Sequence, residues 1–151
     1  MVGNMYKMFY NLLMADRGMK NGLPVLSGLL KLEYVIRQAK ADGILRFREM
    51  RKSPNPALND VRGEVELSRG ALDICLGGDG SFILHVPTDP AMDIAMLGAD
   101  GTLHISVNGR KPRGREMEDL LVSLPETLEE MTMEVKRKID ELKVKSTEIP
   151  E

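Results

Sequence analysis

The chain has 151 residues, 42% of them hydrophobic and 29% charged, with a net charge of −2 and one cysteine. That length suits one domain with a core of its own, and the apolar share excludes a disordered chain. The near-neutral balance excludes a global attraction to nucleic acid or an anionic membrane, while Cys75 alone excludes an internal disulfide and fits a reducing, cytoplasmic compartment.

Aromatic residues make up only 4%, against 11 methionines, so adaptable thioether side chains share the work of core filling. Residues 5–14 (MYKMFYNLLM) are apolar, but Asn11 interrupts them and Asp16 and Arg17 end them. No small-residue cleavage site follows, so a signal peptide is not expected. No run nears the roughly 20 apolar residues of a membrane span. Over so short a stretch, strand and helix both remain open. Pro24 opens a helix in which Val25, Leu26, Leu29, Leu32, Val35, Ile36 and Ala39 recur at helical spacing, and Gly43 stands where a C-terminal cap belongs. Ile44–Lys52 then reads as a strand, with Leu45 and Phe47 on one face and Arg46, Arg48 and Lys52 on the other. Two prolines and two asparagines make residues 53–60 a loop.

From Glu64 to Val107 the sequence reads as five short strands, 64–68, 71–76, 81–86, 92–97 and 102–107, joined by turn-rich links. Such regular spacing is the mark of an antiparallel meander. The stretch contains an echo: Leu76-Gly-Gly-Asp-Gly-Ser-Phe returns 21 positions later as Leu97-Gly-Ala-Asp-Gly-Thr-Leu. Both fit hairpins whose last loop glycine supplies a left-handed residue. A loop at 78–80 sets Leu76 opposite Phe82, Ile74 opposite Leu84 and Leu72 opposite Val86, all on one face. Asp73, Cys75, Ile83 and His85 take the other. The same register in the second hairpin pairs Leu97 with Leu103 and Ala95 with Ile105. Ile94, Met96, His104 and Ser106 are then left on the far side, so that hairpin is apolar on both faces and calls for a cover from a helix or a second subunit.

At the C-terminus, Ser123-Leu-Pro-Glu126 has the pattern of a capping box, which predicts a long helix from Ser123 after a shorter one at 115–122. Leu128, Met131, Val135, Ile139 and Leu142 form its apolar stripe. Acidic residues load its first half and basic residues its second, in line with the helix dipole. Glu134 and Lys138 are spaced for an i,i+4 ion pair. The tail from 146 to 151 reads as frayed, leaving residues 1–145 as a single domain. The fold class is α+β: a meander of five to six short antiparallel strands against a helix in the N-terminal half and a long C-terminal helix. In element order this is similar to the helix-grip arrangement, which implies a sheet wrapped round its final helix and a possible apolar ligand.

Four groups of residues can carry chemistry. Gly77-Gly-Asp-Gly-Ser81 resembles the GGDG[TS] loop of NAD kinases and diacylglycerol kinases, which implies a nucleotide-phosphate site and a kinase-like activity. That loop opens a helix in those families, whereas residues 81–86 are β-rich here and Pro87 and Pro90 follow. Cys75, His85 and His104, with Asp73 and Asp93 as further oxygen donors, are types that ligate transition metals, yet no pair has CxxC or HxxxH spacing, the predicted register drops Asp93 to the opposite face, and a cross-strand Asp73–His85 polar pair explains the rest. Cys75 and His85 are the one nucleophile–base candidate, without a nucleophile elbow around them. Two basic clusters, Arg46, Arg48, Arg51 and Lys52, and Arg110, Lys111, Arg113 and Arg115, can grip phosphate if they converge.

The expectation is therefore a non-enzymatic interaction or regulatory module with no cofactor and no metal. It acts in the cytoplasm as a homo-oligomer that binds a protein partner and no membrane, with Ile94, Met96, Met131, Val135, Ile139 and Leu142 as interface residues. The alternative is a nucleic-acid or phosphorylated-ligand binder using Arg46, Arg48, Lys52, Arg110, Lys111 and Arg113.

Overall fold

In the computed structural model, residues 22–50, 60–87, 91–98 and 101–147 are described. The apolar stretch at 5–14 and the basic residues Arg51 and Lys52 lie outside them. Within them the order is α1 (Gly22–Ala41), β1 (Arg48–Glu49), β2 (Val61–Leu67), β3 (Gly70–Leu76), β4 (Phe82–Val86), β5 (Met92–Leu97), β6 (Thr102–Val107) and α2 (Arg115–Thr147). The strands form one six-stranded antiparallel meander in sequence order, as short turns between successive strands dictate. This is the α+β arrangement expected from the sequence.

Helix α1 buries Val25, Leu26, Leu29, Leu32, Ile36 and Ala39. It ends at the predicted glycine: Gly43 has φ +73°, Ile44 N–H donates to the Ala39 carbonyl at 2.9 Å, and Gly43 N–H donates to Lys40 at 3.1 Å. Those bonds satisfy carbonyls that the last turn leaves without partners. The chain then crosses the end of the core with Leu45 buried and Arg46 and Arg48 exposed. The alternation is as expected, but only Arg48–Glu49 pairs as strand. Phe47 lies over Gly63 of β2, where an added Cβ would stand 2.9 Å from its ring and 3.0 Å from the Arg46 carbonyl oxygen. Glycine is what admits the ring there.

One face of the sheet makes the core. Val65, Leu72, Ile74, Leu76, Phe82, Leu84, Val86, Ile94, Met96 and Ile105 are buried and join both helices in a single cluster. Each such aliphatic or aromatic side chain contributes on the order of 1.5–3 kcal/mol. The helices touch closely where Gly28 of α1 meets Leu128 of α2; a Cβ on Gly28 would stand 3.1 Å from that of Leu128.

Three expectations are corrected. First, β5 and β6 pair one residue away from the predicted register: Ile94 faces Ile105, Met96 faces Leu103, and Ala95 faces His104. Ile94 and Met96 therefore point into the core, at 0% and 1% exposure, and the outer face takes Asp93, Ala95, Leu97, His104 and Ser106. The cause is a contact between loops. In the first hairpin Gly77 N–H donates to the Ser81 carbonyl at 2.9 Å, which closes the predicted loop. The equivalent amide, Gly98 N–H, donates instead to the Ser81 hydroxyl at 2.8 Å, so it cannot set the same pairing with Thr102.

Second, α2 is one helix of 33 residues with Pro125 inside it. The Ser123 hydroxyl does not cap a new helix; it donates to the Leu120 carbonyl at 3.1 Å. Both halves bury one continuous stripe, Leu121, Leu124, Leu128, Met131, Val135 and Ile139, and that burial outweighs the loss of a single backbone hydrogen bond at proline. Helical structure runs to Thr147, past the predicted fraying point. Third, Glu134 does not pair with Lys138. Its carboxylate accepts from Ser68, and Lys138 stands 4.0 Å from Glu141.

Candidate binding groove and the open sheet face

A groove of about 500 Å³ opens between the β2–β3 turn, the facing ends of β4 and β5, and the middle of α2. The β2–β3 turn at Ser68-Arg69 forms one wall and the Thr127–Glu134 stretch of α2 the other. Leu67, Leu72, Val86, Met92 and Met131 give it an apolar lining, with Arg69, Thr127, Glu130 and Glu134 among its polar lining residues. A clasp fixes the turn to the helix: Ser68 N–H donates to Glu134 Oε2 at 3.0 Å and Ser68 Oγ–H to Oε1 at 2.8 Å. Those donors hold the Glu134 carboxyl below the usual carboxylate range, so the groove keeps a negative charge on its helix side.

The other face of the sheet is open. Apart from Ala95, its side chains are half-buried or exposed among the described residues. A polar row crosses it. Arg62 grips Asp73 with two hydrogen bonds, Nε to Oδ1 at 2.8 Å and a terminal nitrogen to Oδ2. His85 Nδ1–H donates to Asp93 Oδ1 at 2.7 Å, and Ser106 Oγ–H donates to Asp93 Oδ2 at 3.3 Å. The Asp73 carboxyl is held below the usual range, chiefly by the Arg62 hydrogen bond. Asp93 thus joins His85, where the predicted register had it on the opposite face. Asp73 stands opposite His85 in the ladder, but its charge is met by Arg62.

The Ser106 hydroxyl is turned to a carboxylate rather than to a histidine base. Cys75 is half-buried on the same face, and burial pushes its thiol pKa up, away from the reactive thiolate. Among the described residues, no group of three or more His, Cys, Asp or Glu side chains could hold a metal ion.

The GGDGS segment is a hairpin turn. Gly80 N–H donates to Gly77 at 3.1 Å, Gly80 has φ +95°, and the strand β4 follows rather than a helix. The helix N-terminus that a phosphate site of the kinase type uses is therefore lacking here. The side chains serve the turn: Asp79 Oδ1 accepts from Ser81 N–H at 3.0 Å, and Gly78 N–H donates to Asp60 Oδ1 at 2.9 Å.

The basic clusters do not converge. Arg46 and Arg48 lie at the β1 edge, and Arg110, Lys111 and Arg113 follow β6 at the opposite edge. Five strand spacings of about 4.8 Å, roughly 24 Å along the sheet, separate them. Lys52 lies outside the described residues. The predicted interface residues are placed in the chain's own core: Ile94, Met96, Met131, Val135 and Ile139 are buried beneath or within the helical layer, and Leu142 packs against it. The missed site is the groove. Ser68 and Glu134 are 66 positions apart, and no local pattern joins them.

No described helix is long and apolar enough to cross a membrane. Compared with protein families, curated proteins and solved structures, the chain matches none.

Proposed function

We propose that the protein is a non-enzymatic interaction module that acts in the cytoplasm and takes a segment of a partner protein into the groove between the β2–β3 turn and α2. The observation that carries this reading is the groove itself, an apolar recess of about 500 Å³ with Glu130 and Glu134 on its helix side. An apolar side chain entering it covers Leu67, Met92 and Met131. A basic residue beside that anchor meets the two carboxylates, of which Glu134 is held charged by Ser68. The polar groups of the open face are largely occupied with one another, which leaves them poorly suited to activating a substrate.

The test is selection of a displayed random-peptide library on the wild-type protein, counter-selected on Leu67→Asp. The expected result is a consensus of one large apolar residue flanked by lysine or arginine, bound by wild type and lost in the variant. Peptides that bind both proteins equally, or no enrichment at all, would overturn the reading.

A further inference from the structure

The Ser68–Glu134 clasp leaves the charges of the groove unevenly used. Both oxygens of Glu134 accept from Ser68, at 3.0 Å from its N–H and 2.8 Å from its hydroxyl. Three neighbouring charges have no such use. Arg69 follows Ser68 in the β2–β3 turn and lines the groove, as Glu130 does one helical turn before Glu134. Arg137 comes one turn after Glu134. All three side chains belong to exposed residues, and among the described residues none of them makes a side-chain hydrogen bond or an ion pair. Positions 130, 134 and 137 fall at i, i+4 and i+7, which is a single face of α2. Both arginines stand close enough to act on Glu134: its carboxyl is held low first by the Ser68 hydrogen bonds and then by the positive charges of Arg137 and Arg69. The groove therefore has a negative end at Glu130 and a positive end at Arg69 and Arg137. Glu130 and Arg137 are about 10 Å apart along the helix axis, at roughly 1.5 Å per residue. An extended segment covers that distance in about three residues.

We propose that the partner segment is charge-ordered, with a basic residue over Glu130, its apolar anchor in the recess, and an acidic residue held by Arg69 and Arg137. This rests on the groove being the binding site, and it adds the acid and the direction to that reading. A carboxylate at the positive end meets two guanidinium groups that have no other partner, in a geometry that arginine takes with both its nitrogens. An uncharged residue there leaves both arginines unmatched, and a basic one is repelled. Because the two ends differ in sign, the segment lies in one direction only; reversal sets like charge against like at both ends. The arginines and Glu130 are exposed, so each pair is individually weak. The apolar anchor carries the affinity, and the charges choose the sequence and its orientation.

The experiment uses peptides selected on the wild-type protein. Fluorescence anisotropy measures the binding of each parent peptide, of the same peptide with its acid replaced by the matching amide, and of one with acid and base interchanged. Each is titrated against wild type and against the double variant Arg69→Ala, Arg137→Ala. Both arginines are exposed and make no side-chain bond to the described fold, so the variant is expected to fold, and circular dichroism checks this. The parents are expected to carry an acid on the side of the anchor opposite the base, about three positions from it. Neutralising that acid is expected to weaken binding to wild type about three- to fivefold, as for exposed ion pairs, and interchanging the charges to weaken it further. On the double variant, neutralising the acid is expected to change nothing. Parents without an acid preference, or an acid whose neutralisation weakens binding to both proteins equally, overturn the charge order and leave the groove reading standing. If no selected peptide is lost on Leu67→Asp, the groove reading falls and the charge order falls with it.

Discussion

Replacing Ile94 by alanine tests the observed β5–β6 register. Ile94 is fully buried and sits between Leu84 and Ile105 on the core face. The substitution removes three carbons, worth roughly 2.4 kcal/mol at about 0.8 kcal/mol each. The cavity left behind raises the cost to about 3–4 kcal/mol, because such a site relaxes only in part. With a urea m-value near 2 kcal/mol/M, the unfolding midpoint falls by roughly 1.5–2 M. Leu97→Ala is the control. Leu97 is half-buried on the open face opposite Thr102, and its truncation is expected to cost about 1 kcal/mol. In the register read from sequence the two roles are exchanged: Leu97 faces the core and Ile94 the outside. Urea titrations that give Leu97→Ala the larger loss would refute the observed register and the core built on it.

Gly63→Val is expected to cost about 1–3 kcal/mol by overpacking against the Phe47 ring and the fixed Arg46 carbonyl, read as a lower urea midpoint. Ser81→Ala removes the acceptor of the half-buried Gly98 N–H and is expected to cost about 1–2 kcal/mol in thermal unfolding; an unchanged Tm would mean that the two loops are not coupled. Asp73 has a lowered folded-state pKa, so its pairing with Arg62 stabilises fully above the ordinary aspartate value near 3.9 and is lost as pH falls through the lower folded value. Wild type should therefore lose stability in that acid window more steeply than Asp73→Asn, the two curves converging at the acid end; parallel curves would contradict the pairing.

Much of the fold was legible because its determinants are local. Gly43 marks the end of α1, and the loop at 78–80 sets the β3–β4 register, since turn geometry and alternation are written in neighbouring residues. The second hairpin was misread because its sequence echo is local while its register is set by Ser81, 17 positions away. Ser123–Glu126 carries a helix-start pattern, yet the stripe on both sides of Pro125 joins one core, and tertiary burial overrides the local signal. The interface residues Ile94 and Met96 followed from the misplaced register. The basic clusters are plain in sequence, but only the strand order shows that they occupy opposite edges. The groove depends on Ser68 meeting Glu134, which no periodicity encodes.

The central claim, that the groove is where a partner binds, is tested most directly by nuclear magnetic resonance shift mapping with a selected peptide. Perturbed amides are expected along Leu67–Leu72, at Val86, Pro87 neighbours and Met92, and along Thr127–Glu134 of α2. Shifts confined to Asp73, His85 and Asp93 on the open face, or to Arg110–Arg113, with the groove amides unmoved, would contradict it.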